Sequence, residues 1–208
     1  MKGLLLKDLY MAASYCRSFL LLVVVFLAVS FFGDDSLFFI VYPTLIASII
    51  PVTLISYDER DSWTQCSGTL PYSRGQLVSV KYLIGLLFGC VSLVLSLIAS
   101  VVRMQLRHSF SLEELCFLAS ALLVLGVLGP GLLLPFIFKF GAEKGRIVFF
   151  VMVGFLCVVS IVAAGLGVQT ALPAMGYTWT LAVVAAVAVA LYALSWMLSI
   201  RFYEKREL

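Results

Sequence analysis

Charge is scarce in this chain. Of its 208 residues only 12% are Asp, Glu, Lys or Arg, where an ordinary soluble domain has about a quarter. So few charges cannot build a water-exposed surface, so lipid must cover most of the molecule. Histidine is nearly absent: His108 is the one copy. No His-Glu-x-x-His pair exists and no second histidine could complete a metal site, which excludes a membrane metalloprotease despite the acidic pair Glu113-Glu114. The cysteines (Cys16, Cys66, Cys90, Cys116 and Cys157) are odd in number, form no Cys-x-x-Cys and mostly sit in apolar runs. A disulfide framework or zinc site is therefore not expected, and they read as small apolar packing residues. There is no Gly-x-x-x-x-Gly-Lys-Ser/Thr, hence no loop to cradle nucleotide phosphates. There is also no basic block with interleaved aromatics, which argues against a nucleic-acid partner.

What is present is hydrophobic: 63% of the chain, with a mean hydropathy of +1.13. Crossing a bilayer takes about 20 apolar residues. Six stretches reach or approach that length, at residues 19–32, 37–57, 82–102, 115–138, 147–168 and 179–200. The expected fold class is an all-α membrane protein with a single transmembrane domain over residues 1–208. The N-terminal apolar run behind Lys2 is too short for a cleaved signal, and Lys7 and Asp8 interrupt it, so it reads as retained.

Six spans put both termini on one side. One set of flanking segments holds Lys2, Lys7, Arg17, Arg60, Arg74, Lys81, Lys139, Lys144, Arg146, Arg201, Lys205 and Arg206, which is 12 of the 14 basic residues. The other holds only Arg103 and Arg107. The positive-inside rule then places both termini in the cytoplasm. The outer loops (33–36, 103–114 and 169–178) are too short to fold as a receptor or enzyme domain.

Residues 1–17 read as a helix lying in the membrane interface. Leu5, Leu9, Ala12 and Cys16 share one face, with Lys7, Ser14 and Arg17 roughly opposite. A ragged extension of the first span is the alternative. The longest polar stretch is the loop at residues 58–81. Asp58, Glu59 and Asp61 mark the exit from the second span, and Trp63 follows. Leu70-Pro71 ends that element, because proline disfavours helix at the residue before it. Ser73 and Gln76 then form a capping box that opens the third span. A bare inter-helix turn needs only a few residues, so a loop of this length carrying a tryptophan suggests a docking surface, built from Asp58, Glu59, Asp61, Trp63 and Arg74. The turn at 139–146 is glycine-containing and basic, suited to anchoring helix ends at lipid phosphates. In the fourth span Gly129, Pro130 and Gly131, followed by Pro135, predict a bend beside a dimer interface or cargo path, or a packing kink.

Three stretches together resemble the small permease subunits of bacterial type-2 ABC exporters. They are the opening Met1 to Tyr10; the pattern Asp58-Glu59, Trp63, Leu70-Pro71, Ser73-Arg74, Gln76, Val78, Lys81-Tyr82; and Leu134 to Arg146. The chain departs from that pattern at Tyr72 and Gly75, where a small aliphatic and a basic residue are usual. The resemblance implies a permease in the bacterial cell membrane that binds no cofactor itself. It would be driven by ATP and Mg held in two copies of a separate cytoplasmic ATPase, and would pair with a second permease chain, identical or paralogous. The segment at 58–63 would be the coupling helix, and 1–17 the interfacial connecting helix. Cargo would be an amphipathic peptide, bacteriocin or hydrophobic drug. The absence of charge near the middle of any span fits that cargo better than an ion path. The alternative from another class is a non-transporting membrane scaffold or immunity protein.

Overall fold

A computed structural model describes residues 2–31, 37–67, 72–108, 111–141 and 177–204, together with Ile147, Val151, Gly154 and Val158. Its elements are α1 (Lys2–Tyr15), α2 (Arg17–Val29), α3 (Leu37–Arg60), α4 (Trp63–Ser67), α5 (Arg74–Leu106), α6 (Leu112–Phe140) and α7 (Tyr177–Glu204). Among the described residues there is no strand.

Local sequence sets the helix ends. Ser73 caps α5: its hydroxyl accepts from the Gln76 amide at 3.3 Å, and the Gln76 side chain accepts from the Ser73 amide at 3.2 Å. This is the expected capping box, and it satisfies two amide donors that a helix start leaves open. Ser111 caps α6 in the same sense, accepting from the Glu114 amide at 3.3 Å. Glu113 and Glu114 in the first turn of α6 also suit its positive end. Gly141 closes α6 at φ 90°, where a side chain would be strained. Between α3 and α4 the chain turns sharply through Ser62, a non-glycine at φ 54°.

Four helices are long and apolar enough to cross a bilayer. They are Phe38–Arg60, Arg74–Leu106, Leu112–Phe140 and Ala182–Glu204. A fifth span results if α1 and α2, bent by 66° at Cys16, count as one broken crossing. The described residues thus supply four or five of the six expected spans. The expected fifth span, at 147–168, lies almost wholly outside them. With 13 residues α2 rises about 20 Å, short of the roughly 30 Å hydrocarbon layer. The third span is longer than expected because the capped segment from Arg74 runs without a break into it.

The main core joins α3, α5, α6 and α7 through Val52, Ile55, Tyr82, Leu134, Ile137 and Tyr192. A second cluster packs α1 onto α3 and α5 through Leu4, Ala12, Cys16, Ile50, Leu54 and Ile84. The buried stripe of α1 is therefore Leu4, Asp8, Ala12 and Cys16, a step of four along one face. The expected stripe through Leu5 and Leu9 is corrected by about one position, since both of those are only half-buried. The correction turns a carboxylate, Asp8, into the interior.

Candidate functional site

Helix directions gather α1, the end of α3, α4, the start of α5 and the ends of α6 and α7 at one end of the bundle. The candidate site lies there. α3 delivers Asp58 in its last turn. α5, two turns after its cap, delivers Lys81. α1 delivers Lys7 and Asp8.

The four side chains close into a ring of alternating sign. Lys7 Nζ lies 2.5 Å from Asp58 Oδ1 and 3.4 Å from Asp8 Oδ1. Lys81 Nζ lies 2.5 Å from Asp58 Oδ2 and 2.7 Å from Asp8 Oδ2. Each carboxylate thus spans both lysines, one oxygen apiece. Asp8, Asp58 and Lys81 are buried, and Lys7 keeps about a quarter of its side chain exposed. The contacts of Lys81 Nζ and Asp8 Oδ1 have ion-pair distances without the alignment of good hydrogen bonds, so Coulomb attraction in a low-dielectric setting dominates there. Lys7 also places its ammonium 4.1 Å from the centre of the Trp63 ring, a cation–π contact that ties α4 to the same ring of charge.

Each residue expected to form the docking surface now has a place. Asp58 faces inward, so its charge is spent within the chain and it offers nothing outside. Trp63 is half-buried and packs on the α1–α3–α5 cluster. Glu59 is half-buried and Asp61 is exposed on the outer side of the turn. Arg74 donates from a guanidinium nitrogen to the Glu204 carbonyl at 3.0 Å, which joins the start of α5 to the end of α7. The Leu70-Pro71 break lies outside the described residues. A cavity of about 40 Å3 remains between Leu4, Asp8, Trp63, Ser67, Lys81 and Tyr203, room for ordered water beside the charges.

Gly129, Pro130 and Gly131, where a bend is expected, lie at close contacts between helices. α6 is helical through Leu112–Phe140 with Pro130 and Pro135 inside it. A Cβ on Gly129 would sit 2.7 Å from Ser48 Oγ of α3, and one on Gly131 would sit 3.1 Å from the Tyr192 ring of α7. Pro135 has no N–H, so it leaves the Gly131 carbonyl without its usual helical partner. The Ser195 hydroxyl of α7 donates to that carbonyl instead. Ser195 also belongs to a buried polar group in which Tyr82 OH lies 2.8 Å from Ser195 Oγ and 2.6 Å from Ser199 Oγ, while Tyr192 OH donates to the Tyr82 carbonyl at 2.7 Å.

Lys7, Asp8 and Lys81 were not singled out by function in the sequence, although all lie in the stretches that carry the family resemblance. The available signal was a single charge inside an otherwise apolar stretch: Asp8 midway between Leu4 and Ala12 on one helix face, and Lys81 among Val78, Val80 and Ile84. Among the described residues no group of three His, Cys, Asp or Glu side chains is placed to hold a metal ion.

No curated protein and no solved structure matches the chain. The family model described as ABC-2 family transporter protein matches residues 3–204. The match spans nearly the whole chain, and with it the ring, the loop above it and the bundle below: the chain belongs to the ABC-2 transporter family, as a membrane permease subunit.

Proposed function

We propose that this permease works in an ATP-driven exporter, with two copies of a cytoplasmic ATPase docked under a pair of permease chains. The observation that carries the reading is the clamped turn between α3 and α5. α4 is held to α1 by the Lys7–Trp63 contact, and Lys7 is tied through Asp58 to α3 and α5. A rigid knuckle continuous with two long helices is what is needed to pass an ATPase's motion into the bilayer as a rigid-body shift. Exposed Asp61 and half-buried Glu59 give the turn an acidic character suited to basic groups on the ATPase, and Arg74 flanks it. ATP and Mg would be held entirely by that partner.

The basic residues support cytoplasmic termini. Lys7, Arg60, Arg74, Lys81, Lys139 and Arg201 belong to the end that carries the knuckle, whereas Arg103 and Arg107 belong to the other. Cargo is amphipathic or apolar, such as a peptide, a bacteriocin or a drug. From α3 to α7 every charged residue of a described helix lies in its end turns or its extension beyond the expected span. A transporter family leaves little ground for the scaffold or immunity alternative.

Inside-out vesicles containing permease and ATPase test the direction and the cargo class together. They should accumulate a fluorescent amphipathic helical peptide when given ATP and Mg, and should not accumulate a hydrophilic anionic dye. Dye uptake without peptide uptake, or peptide loss from preloaded vesicles, would reverse the assignment.

A further inference from the structure

The geometry points to Lys7, Asp8, Asp58 and Lys81 as positioning residues that couple α1 to the docking turn, so that the N-terminal helix moves with the turn during the ATPase cycle. This deepens the proposed function and rests on it.

Three observations converge. The first is closure. Two aspartates and two lysines from three helices form a four-sided ring in which every neighbour has the opposite sign, at 2.5, 2.5, 2.7 and 3.4 Å. No side can be removed without leaving a buried charge short of a partner, so the helices are held in one relative position. The second is placement. Asp58 is the residue before Glu59 in the turn, and Lys7 lies over Trp63 of α4. The ring is therefore the inner side of the same element that bears exposed Asp61. The third is the surface of α1. Tyr10 is 71% exposed and Leu6 56% exposed on the side away from the bundle. These apolar groups lie where an interfacial helix would meet lipid. A helix pinned to the turn on one side and floating in the interface on the other transmits displacement of the turn along the membrane surface.

A purely stabilising role differs from this one in a testable way. Buried ion pairs can often be exchanged for apolar groups of similar volume without loss of stability. If the ring only stabilises, such an exchange keeps function. If it positions, the exchange keeps the fold and loses the coupled motion, because apolar side chains slide where the ring does not.

The experiment uses the permease–ATPase complex in nanodiscs, in a background free of other cysteines, with environment-sensitive labels at Tyr10→Cys on α1 and, separately, at exposed Arg60→Cys beside the turn. Trapping with ATP and vanadate should shift both labels in the otherwise native chain. In Asp58→Asn, and in the apolar form Lys7→Met/Asp8→Leu/Asp58→Leu/Lys81→Met, the Arg60→Cys shift should persist and the Tyr10→Cys shift should fall at least fivefold. The pair reversal Asp58→Lys/Lys81→Asp should not restore it, since it sets the introduced lysine beside Lys7 and the introduced aspartate beside Asp8. Reversal of all four positions recreates the alternation and should restore it. Persistence of the Tyr10→Cys shift in the apolar form, or rescue by the pair reversal alone, would overturn the inference. Absence of the Arg60→Cys shift in the native background would instead overturn the docking reading on which it rests. Failure of Asp58→Asn to fold leaves the apolar and fully reversed forms to decide.

Discussion

Charges in a membrane protein's interior persist where each meets opposite charge at close range, and the residues of the ring meet that condition twice over. Removing one partner strands a buried charge. Lys81→Met should therefore cost about 3–5 kcal/mol, whereas replacing all four residues with apolar side chains should cost far less; thermal unfolding in detergent, read by fluorescence, compares the two. A smaller effect belongs to Ser195→Ala. It removes the donor to the Gly131 carbonyl that Pro135 leaves open, and should lower stability by about 1–3 kcal/mol without changing the fold. Gly129→Ala should also destabilise, by about 1–3 kcal/mol of overpacking against Ser48. The same unfolding measurement reads both, and an unchanged midpoint for either would contradict the packing described at its site. At this scale the sequence was only partly legible. Asp58 and Trp63 were identifiable as exceptional in an apolar chain, but the direction in which they point was not. The facing lysines come from positions 51 and 23 residues away, and no local pattern records which distant charge a carboxylate will meet.

Among the elements, those with local causes were the most legible. Ser73 and Gln76 announce the start of α5, and the structure has both bonds of the box. Ser73→Ala should therefore cost about 1 kcal/mol, visible as faster hydrogen exchange confined to the first turn of α5; protection unchanged there would mean that packing alone holds the turn. α1 was legible as a helix but its rotation was not. The predicted stripe ran through Leu5 and Leu9 and left Asp8 out, because a residue-type pattern does not count a charge as inward and cannot see Lys81 waiting for it. The same limit applies to Gly129, Pro130 and Gly131. Residue types mark this stretch as exceptional but not its neighbours: α3 and α7 close on α6 at the glycines, and Ser195 donates to the Gly131 carbonyl that Pro135 leaves open.

Over the whole molecule, hydropathy carried the helical membrane architecture. Long apolar helices with basic ends describe a membrane protein, and the family match over residues 3–204 agrees. Topology gives a direct check. In a background free of other cysteines, His108→Cys, at the exposed end of α5, should react with a membrane-impermeant maleimide from outside intact cells. Reaction only after permeabilisation would invert the orientation. What composition cannot carry is the partner, since docking depends on a surface that another chain completes. The central claim is that this permease takes its energy from an ATPase seated on the turn after α3. The most direct test is a pull-down of the tagged chain from gently solubilised membranes with the candidate ATPase co-expressed, followed by ATP turnover of what is recovered. The account predicts co-purification with measurable turnover, and loss of most of both in Glu59→Lys/Asp61→Lys although the permease still folds. A permease recovered alone, or an association indifferent to that double charge reversal, would contradict it.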